Sequence, residues 1–199
     1  MDYYQTIAGS FQATIEAAAN SVDALAAPIE RAARLMTDCL LGDHKIVACG
    51  NGADAAMAQL FSGQLLGHHA RERPALPALT LGGDSAGLTA LARAGAAADA
   101  YARQLRALGQ AGDLMLYINS GGSDDSLLRA VRTARERNLT VVALSNVLDD
   151  GLAGQLGDTD VLLRVEAPRS AAVRELQLMV INCLCALVDQ GLFGNYSEE

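Results

Sequence analysis

Apolar residues in the first third of the chain return every three or four positions. Tyr4, Ile7, Phe11, Ile15 and Ala18 make one stripe, and Ile29, Ala32, Met36 and Leu40 make another. The stretch SVDALAA between them predicts a turn, with Pro28 opening a second helix and Gly42 closing it. After Gly42 the pattern changes. Five short apolar runs follow: KIVACG at 45–50, LPALTL at 76–81, DLMLYI at 113–118, TVVALS at 140–145 and DVLLRV at 160–165. None alternates with polar residues, which predicts parallel strands covered on both faces. Helical stretches separate them at about 54–66, 85–109 (broken near Gly95), 124–137 and 170–190, with a short turn near 150–156. This β-α-β rhythm predicts a doubly wound α/β fold: a flavodoxin-like sandwich on a five-stranded parallel sheet, preceded by two N-terminal helices.

No repeat, low-complexity tract or Pro- or Ser-rich linker interrupts the pattern. One domain over 1–199 is expected, with 1–42 as a helical extension used in oligomer packing. The last helix, LQLMVINCLCALV, is apolar nearly all round, interrupted only by Gln177 and Asn182. Such a helix is buried on every side. Two arrangements achieve that: contacts between subunits, or a place between the sheet and the N-terminal helices of one chain.

Composition narrows the function classes. Lys and Arg total 15 against 23 Asp and Glu, giving −8, with three Phe and no Trp. That balance argues against direct nucleic-acid binding and leaves room for a basic protein partner. The start, MDYYQTIAGSF, has no basic segment followed by an apolar run, and no stretch reaches membrane-spanning length without charge. A cytoplasmic protein is expected. Cys39, Cys49, Cys183 and Cys185 fall in apolar elements and not at metal-ligand spacings, and C-x-C on a helix points its thiols to different sides. They read as buried free thiols, with no metal and no cofactor expected. His44, His68 and His69 lie outside the turns, the last two in an exposed bend.

In an open parallel sheet, ligands bind beyond the carboxyl ends of the strands where the winding reverses. With strand order 2-1-3-4-5, the first and third strands meet there. Their turns are GNGAD, giving Gly50, Asn51, Gly52 and Asp54, and NSGGSDD, giving Asn119, Ser120, Gly121, Ser123 and Asp124. Asp84 lies near the end of the second strand. Two glycine-rich turns ahead of helices predict one crevice with two converging helix N-termini. Glycines that merely allow tight strand-to-helix turns are the simpler reading.

The order and spacing of CGNG at 49–52, RERPALPALTL at 71–81, RQLRALGQAGDLML at 103–116, LTVVALS at 139–145 and INCLCALVDQGLF at 181–193 resemble the SIS (sugar isomerase) domain family. The likeness is to the subgroup holding the phosphoheptose isomerases and the DnaA initiator-associating proteins, and it covers nearly the whole chain. It implies a homotetramer.

The departures bear on activity. The resemblance places a phosphate-binding Ser where this chain has Asp54. It places a His and a Glu where Leu60 and Gln64 stand, and a Gln and a His where Arg174 and Asn182 stand. In the loop after the third strand, an ungapped match sets Ser-Thr-Ser-Gly-Asn-Ser against 119–124, while a one-residue shift aligns Ser120, Gly121 and Ser123 better. Isomerisation beside a carbonyl needs a base and an acid. Leu, Gln and Asn cannot serve, and Arg stays protonated. No catalytic residue is assigned, although Asp84 and Glu175 leave room for a different set.

Asp54 and Asp124 are suited to cap their helices and so to fill the anion crevice with the protein's own side chains. A neutral sugar or a cationic group could still enter. The long helix is expected to stop at Gly191, leaving Leu192 and Phe193 beyond it as an apolar pair for a partner or a neighbouring subunit. The resemblance includes this segment and implies a tetrameric adaptor that binds the replication initiator DnaA. The alternatives are a sedoheptulose 7-phosphate isomerase and a sugar-phosphate-binding sensor.

Overall fold

The five apolar runs pair as one parallel sheet, β2-β1-β3-β4-β5. The strands are β1 (Ile46–Cys49), β2 (Ala78–Thr80), β3 (Leu114–Ile118), β4 (Thr140–Asn146) and β5 (Val161–Val165). The computed structural model describes residues 2–195. Ile46 lies opposite both Ala78 and Leu114, and Leu114 opposite Thr140. Every residue of β1 and β3 is buried, which accounts for the missing alternation. Successive side chains point to opposite faces. Ile46, Ala48, Leu114, Leu116, Ile118, Val142 and Leu144 join one core; Val47, Cys49, Met115, Tyr117, Val141 and Ala143 join the other.

The described residues form six helices: α1 (Tyr3–Leu41), α2 (Ala53–Leu66), α3 (Ser85–Arg93), which buries none of its residues, α4 (Ala100–Leu108), α5 (Asp125–Glu136) and α6 (Ser170–Phe193). The first core takes residues of α1, α2 and α6, and the second takes residues of α4 and α5. The break expected near Gly95 is present, with φ +70° at that glycine and a 3₁₀ turn at Ala97–Asp99. A second 3₁₀ turn covers Ala153–Gln155.

The N-terminal pair of helices is instead one continuous helix. Pro28 sits inside α1. Its ring removes one helical hydrogen bond, but packing on either side holds the helix together: Leu25 before it and Ala32, Ala33 and Met36 after it are buried in the same core. In its first half Ala17 reaches the same core, while Tyr3, Tyr4, Ile7, Phe11 and Ile15 are exposed.

α6 runs past Gly191 and ends at Gly194, whose φ of +82° is a conformation that glycine adopts without strain. Gly191 serves a different purpose: a Cβ there would stand 2.9 Å from Thr37 Oγ1, so the glycine lets α1 and α6 close together. Leu192 and Phe193 therefore belong to the last helical turn, not to a segment beyond it. Leu192 packs against the core, and Phe193 stays exposed. By length and composition α6 could cross a membrane; here half of its apolar window is buried against the sheet and α1.

Candidate functional site

The β1–α2 turn is built on close approach. A Cβ on Gly50 would fall 2.7 Å from the Asp54 backbone, so only glycine lets the helix start this near the strand. Gly52, at φ +58°, is the N-cap of α2 and offers no side chain to it. Asp54 does not cap α2 either. Its side chain crosses to the turn after β3, where Oδ2 accepts the Ser120 amide at 2.8 Å and Oδ1 accepts the Ser120 hydroxyl at 2.7 Å. Asp54 and Ser120 are both buried.

Asn51 ties the two turns together a second time. Its Nδ2 donates to Asp124 Oδ2 at 2.8 Å and to Ser126 Oγ at 2.9 Å. The Tyr101 hydroxyl lies between Asn51 Oδ1 (2.7 Å) and the Gly50 carbonyl (2.8 Å) and donates to one of them at a time. Burial, then the nearby Cys49 and Asp124, pushes the Tyr101 phenol up to about 12. Asp124 is the expected cap: Oδ1 accepts the amides of Ser126 (2.9 Å) and Leu127 (3.2 Å). Burial pushes its pKa up, but hydrogen bonds from Ser126, Leu127 and Asn51 outweigh it, and the carboxyl lies below its ordinary value.

Residues that the sequence did not single out hold the 119–122 loop from beneath. Asn146 Nδ2 donates to the carbonyls of Asn119 (3.1 Å) and Gly121 (2.7 Å). Asn119 Oδ1 accepts the Gly121 amide, and its Nδ2 reaches the Gly122 carbonyl and Asp149 Oδ2, both at 2.9 Å. Asp149 Oδ2 also accepts from Tyr117 (2.5 Å) and Ser145 (2.8 Å). Burial first, then the hydrogen bond to Asp149, raises the Tyr117 phenol well above its usual range. Gln177, wholly buried, donates to the Asn119 carbonyl at 3.0 Å. Its position as a polar residue within an apolar helix was the available signal.

α2 and α6 also meet through polar side chains, further along both helices from the turns. Gln64 Nε2 donates to Asn182 Oδ1 at 3.2 Å. Leu60, one turn before Gln64, is exposed, and Arg174 Nη1 reaches Ser120 Oγ at 3.4 Å. The four positions at which the family resemblance marks substitutions thus hold two amides in mutual contact, a leucine and an arginine. Other expected site residues lie apart. Asp84 caps α3 through the Ala86 amide, and Glu175 accepts a hydrogen bond from Thr14 of α1. Ser123 is exposed and rests against Gly151, where a Cβ would come within 2.3 Å of its Oγ. Among the described residues, no three His, Cys, Asp or Glu side chains are grouped to hold a metal ion.

An apolar groove of about 460 Å³ separates the middle of α1 from the outer face of α6, lined by Val22, Leu25, Ile29, Met179 and Cys183 among others. Cys39, Cys49 and Cys185 are buried, whereas Cys183 is exposed, a correction to the expectation of four buried thiols. The two thiols of the C-x-C pair do point to different sides.

A doubly wound sheet with two glycine-rich turns meeting over β1 and β3 defines a crevice-bearing α/β domain. The SIS domain model matches residues 10–146, and the chain belongs to this family. It is 42% identical to the phosphoheptose isomerase of Methylococcus capsulatus over 194 residues, 98% of this chain and 100% of that protein. It is likewise 42% identical to the DnaA initiator-associating protein DiaA of Yersinia enterocolitica over 192 residues, 96% and 98% of the two chains. The solved structure of a phosphoheptose isomerase from Francisella tularensis superposes with a TM-score of 0.91 at 34% identity, covering 96% of this chain and 100% of that one.

Proposed function

We propose that this chain is a non-catalytic SIS-domain protein that works as a homotetrameric adaptor for the replication initiator DnaA. The observation that carries the reading is the Gln64–Asn182 contact beside Leu60. Proton transfer next to a sugar carbonyl needs groups that titrate near neutrality, and an amide pair supplies none. Asp54 strengthens the case, because its carboxylate takes the Ser120 donors that an anionic ligand would use.

Three further features support an adaptor. The DiaA relative matches over nearly the whole chain. The exposed stripe on α1 and the groove against α6 leave an apolar face suited to further copies of the chain. Phe193 is exposed at the end of α6, so each subunit offers one contact, and a tetramer gains avidity without a catalytic centre. In this reading residues 1–199 form one cytoplasmic domain, and its 1–42 helix serves assembly.

Surface capture of purified DnaA tests the proposal, with a Phe193→Ala variant alongside. Binding at micromolar concentration or better that the variant weakens is expected. Equal signals from native, variant and an uncoated surface would remove the adaptor reading. A second reading, a sugar-phosphate isomerase, is favoured by the phosphoheptose isomerases at 40 to 42% identity. It requires a base other than Leu60, Gln64, Arg174 and Asn182.

A further inference from the structure

Arg71 lies between α2 and β2, and its side chain closes over the end of α6. The guanidinium carbon stands 5.1 Å from the centroid of the Phe193 ring. Nη2 donates to the Asp189 carbonyl at 3.3 Å and Nη1 to the Gly194 carbonyl at 3.4 Å. The cation therefore meets the negative end of the helix and the face of an aromatic ring at once, two interactions that favour the same position. The neighbouring Arg73 fixes the backbone of this connection. It is almost fully buried, with Nε 2.7 Å from Asp189 Oδ1 and other donors on the carbonyls of Gln64 and Leu65.

We propose that Arg71 is a positioning residue for the partner contact. It clamps the Phe193 ring in the orientation the partner meets and sets a positive charge beside the ring. The inference rests on the adaptor reading above and adds the chemistry of the recognised surface: an apolar pocket with a carboxylate at its rim. A ring already held in one orientation loses less freedom on binding than one turning in solvent. The charge beside it speeds encounter with an acidic rim and makes binding sensitive to salt.

A double-mutant cycle on DnaA capture separates the possibilities, using the native chain, Arg71→Ala, Phe193→Ala and the double variant. Light scattering verifies that all four assemble alike. Arg71→Ala is expected to weaken binding about two- to fivefold. In the Phe193→Ala background it is expected to cost clearly less, because the clamp is lost with the ring and only the contribution of the charge remains. Arg71→Lys restores the salt dependence but only part of the affinity. Native binding that Arg71→Ala leaves unchanged overturns the clamp while the adaptor reading stands. Losses that add independently in the double variant also overturn it. Failure of the native chain to bind removes the adaptor reading and the clamp together.

Discussion

Asp54 and Ser120 join the two strand-end turns by a pair of hydrogen bonds, from the serine amide at 2.8 Å and its hydroxyl at 2.7 Å. A backbone N–H and a hydroxyl at a glycine-rich turn are the donors that an anion would otherwise take. Here a carboxylate on the adjoining helix takes them.

Replacing that carboxylate is expected to reopen the crevice. Asp54→Ser leaves the buried Ser120 donors without their partner, a loss of about 1–3 kcal/mol. Inorganic phosphate or sedoheptulose 7-phosphate at millimolar concentration is expected to raise the melting temperature of the variant, because a ligand of the folded state stabilises it. The native protein is expected to show no such shift. A phosphate-dependent shift of equal size in the native chain would show that Asp54 does not close the site and would favour the sensor reading.

The Arg73–Asp189 pair is a structural joint between the α2–β2 connection and α6. Both side chains are almost fully buried, at 2% and 7% exposure. Removing one partner of such a pair strands the other charge, at a cost of about 3–5 kcal/mol. Arg73→Ala is expected to lose stability in that range in urea unfolding, together with the hydrogen bonds on the Gln64 and Leu65 carbonyls. A change below about 1 kcal/mol, the level of an exposed pair, would contradict the burial described.

Asp124 contributes to the acid limb of stability. Its folded-state pKa is lowered, so its contribution is fully present above the unfolded carboxylate value of about 3.9 and is lost as the pH falls through the lower folded value. Asp124→Asn is therefore expected to lower stability at pH 7 and to unfold with a shallower pH dependence below about pH 4. Parallel acid titrations followed by circular dichroism would settle it; superimposable acid limbs would mean that Asp124 is not held by its Ser126, Leu127 and Asn51 bonds.

The groove between α1 and α6 is expected to be an interface between copies of the chain. Met179, 52% exposed at its wall, is the informative position. Met179→Glu would place a charge against apolar surface and is expected to dissociate the assembly, read as mass by light scattering. A native protein already monomeric at micromolar concentration would end the tetramer proposal.

The sheet could be read from the sequence because β1 and β3 are buried throughout, and unbroken apolar runs leave few other folds. The two converging turns followed from strand order. What stayed hidden depends on contacts between distant residues. Pro28 has the same local signature at a helix start and inside a helix, and only the buried residues on both sides of it hold α1 continuous. Gly191 reads as a stop by itself, yet it is there to admit Thr37 from the other end of the chain. Asp54 reads as a cap because capping is the local use of a carboxylate near a helix start; the partner it takes, Ser120, is 66 residues away. Asn146, Asp149 and Gln177 carried no motif, since their work is to hold another loop's carbonyls and side chains.

The loss of acid–base chemistry proposed for Leu60, Gln64 and Asn182 is tested by turnover of sedoheptulose 7-phosphate by the purified native protein. No product above the uncatalysed background is expected, since Gln64, Asn182 and Leu60 offer no group to move the proton. Turnover at an ordinary enzymatic rate, roughly 1–1000 per second, would mean that another group moves the proton and would place the chain among the isomerases it resembles.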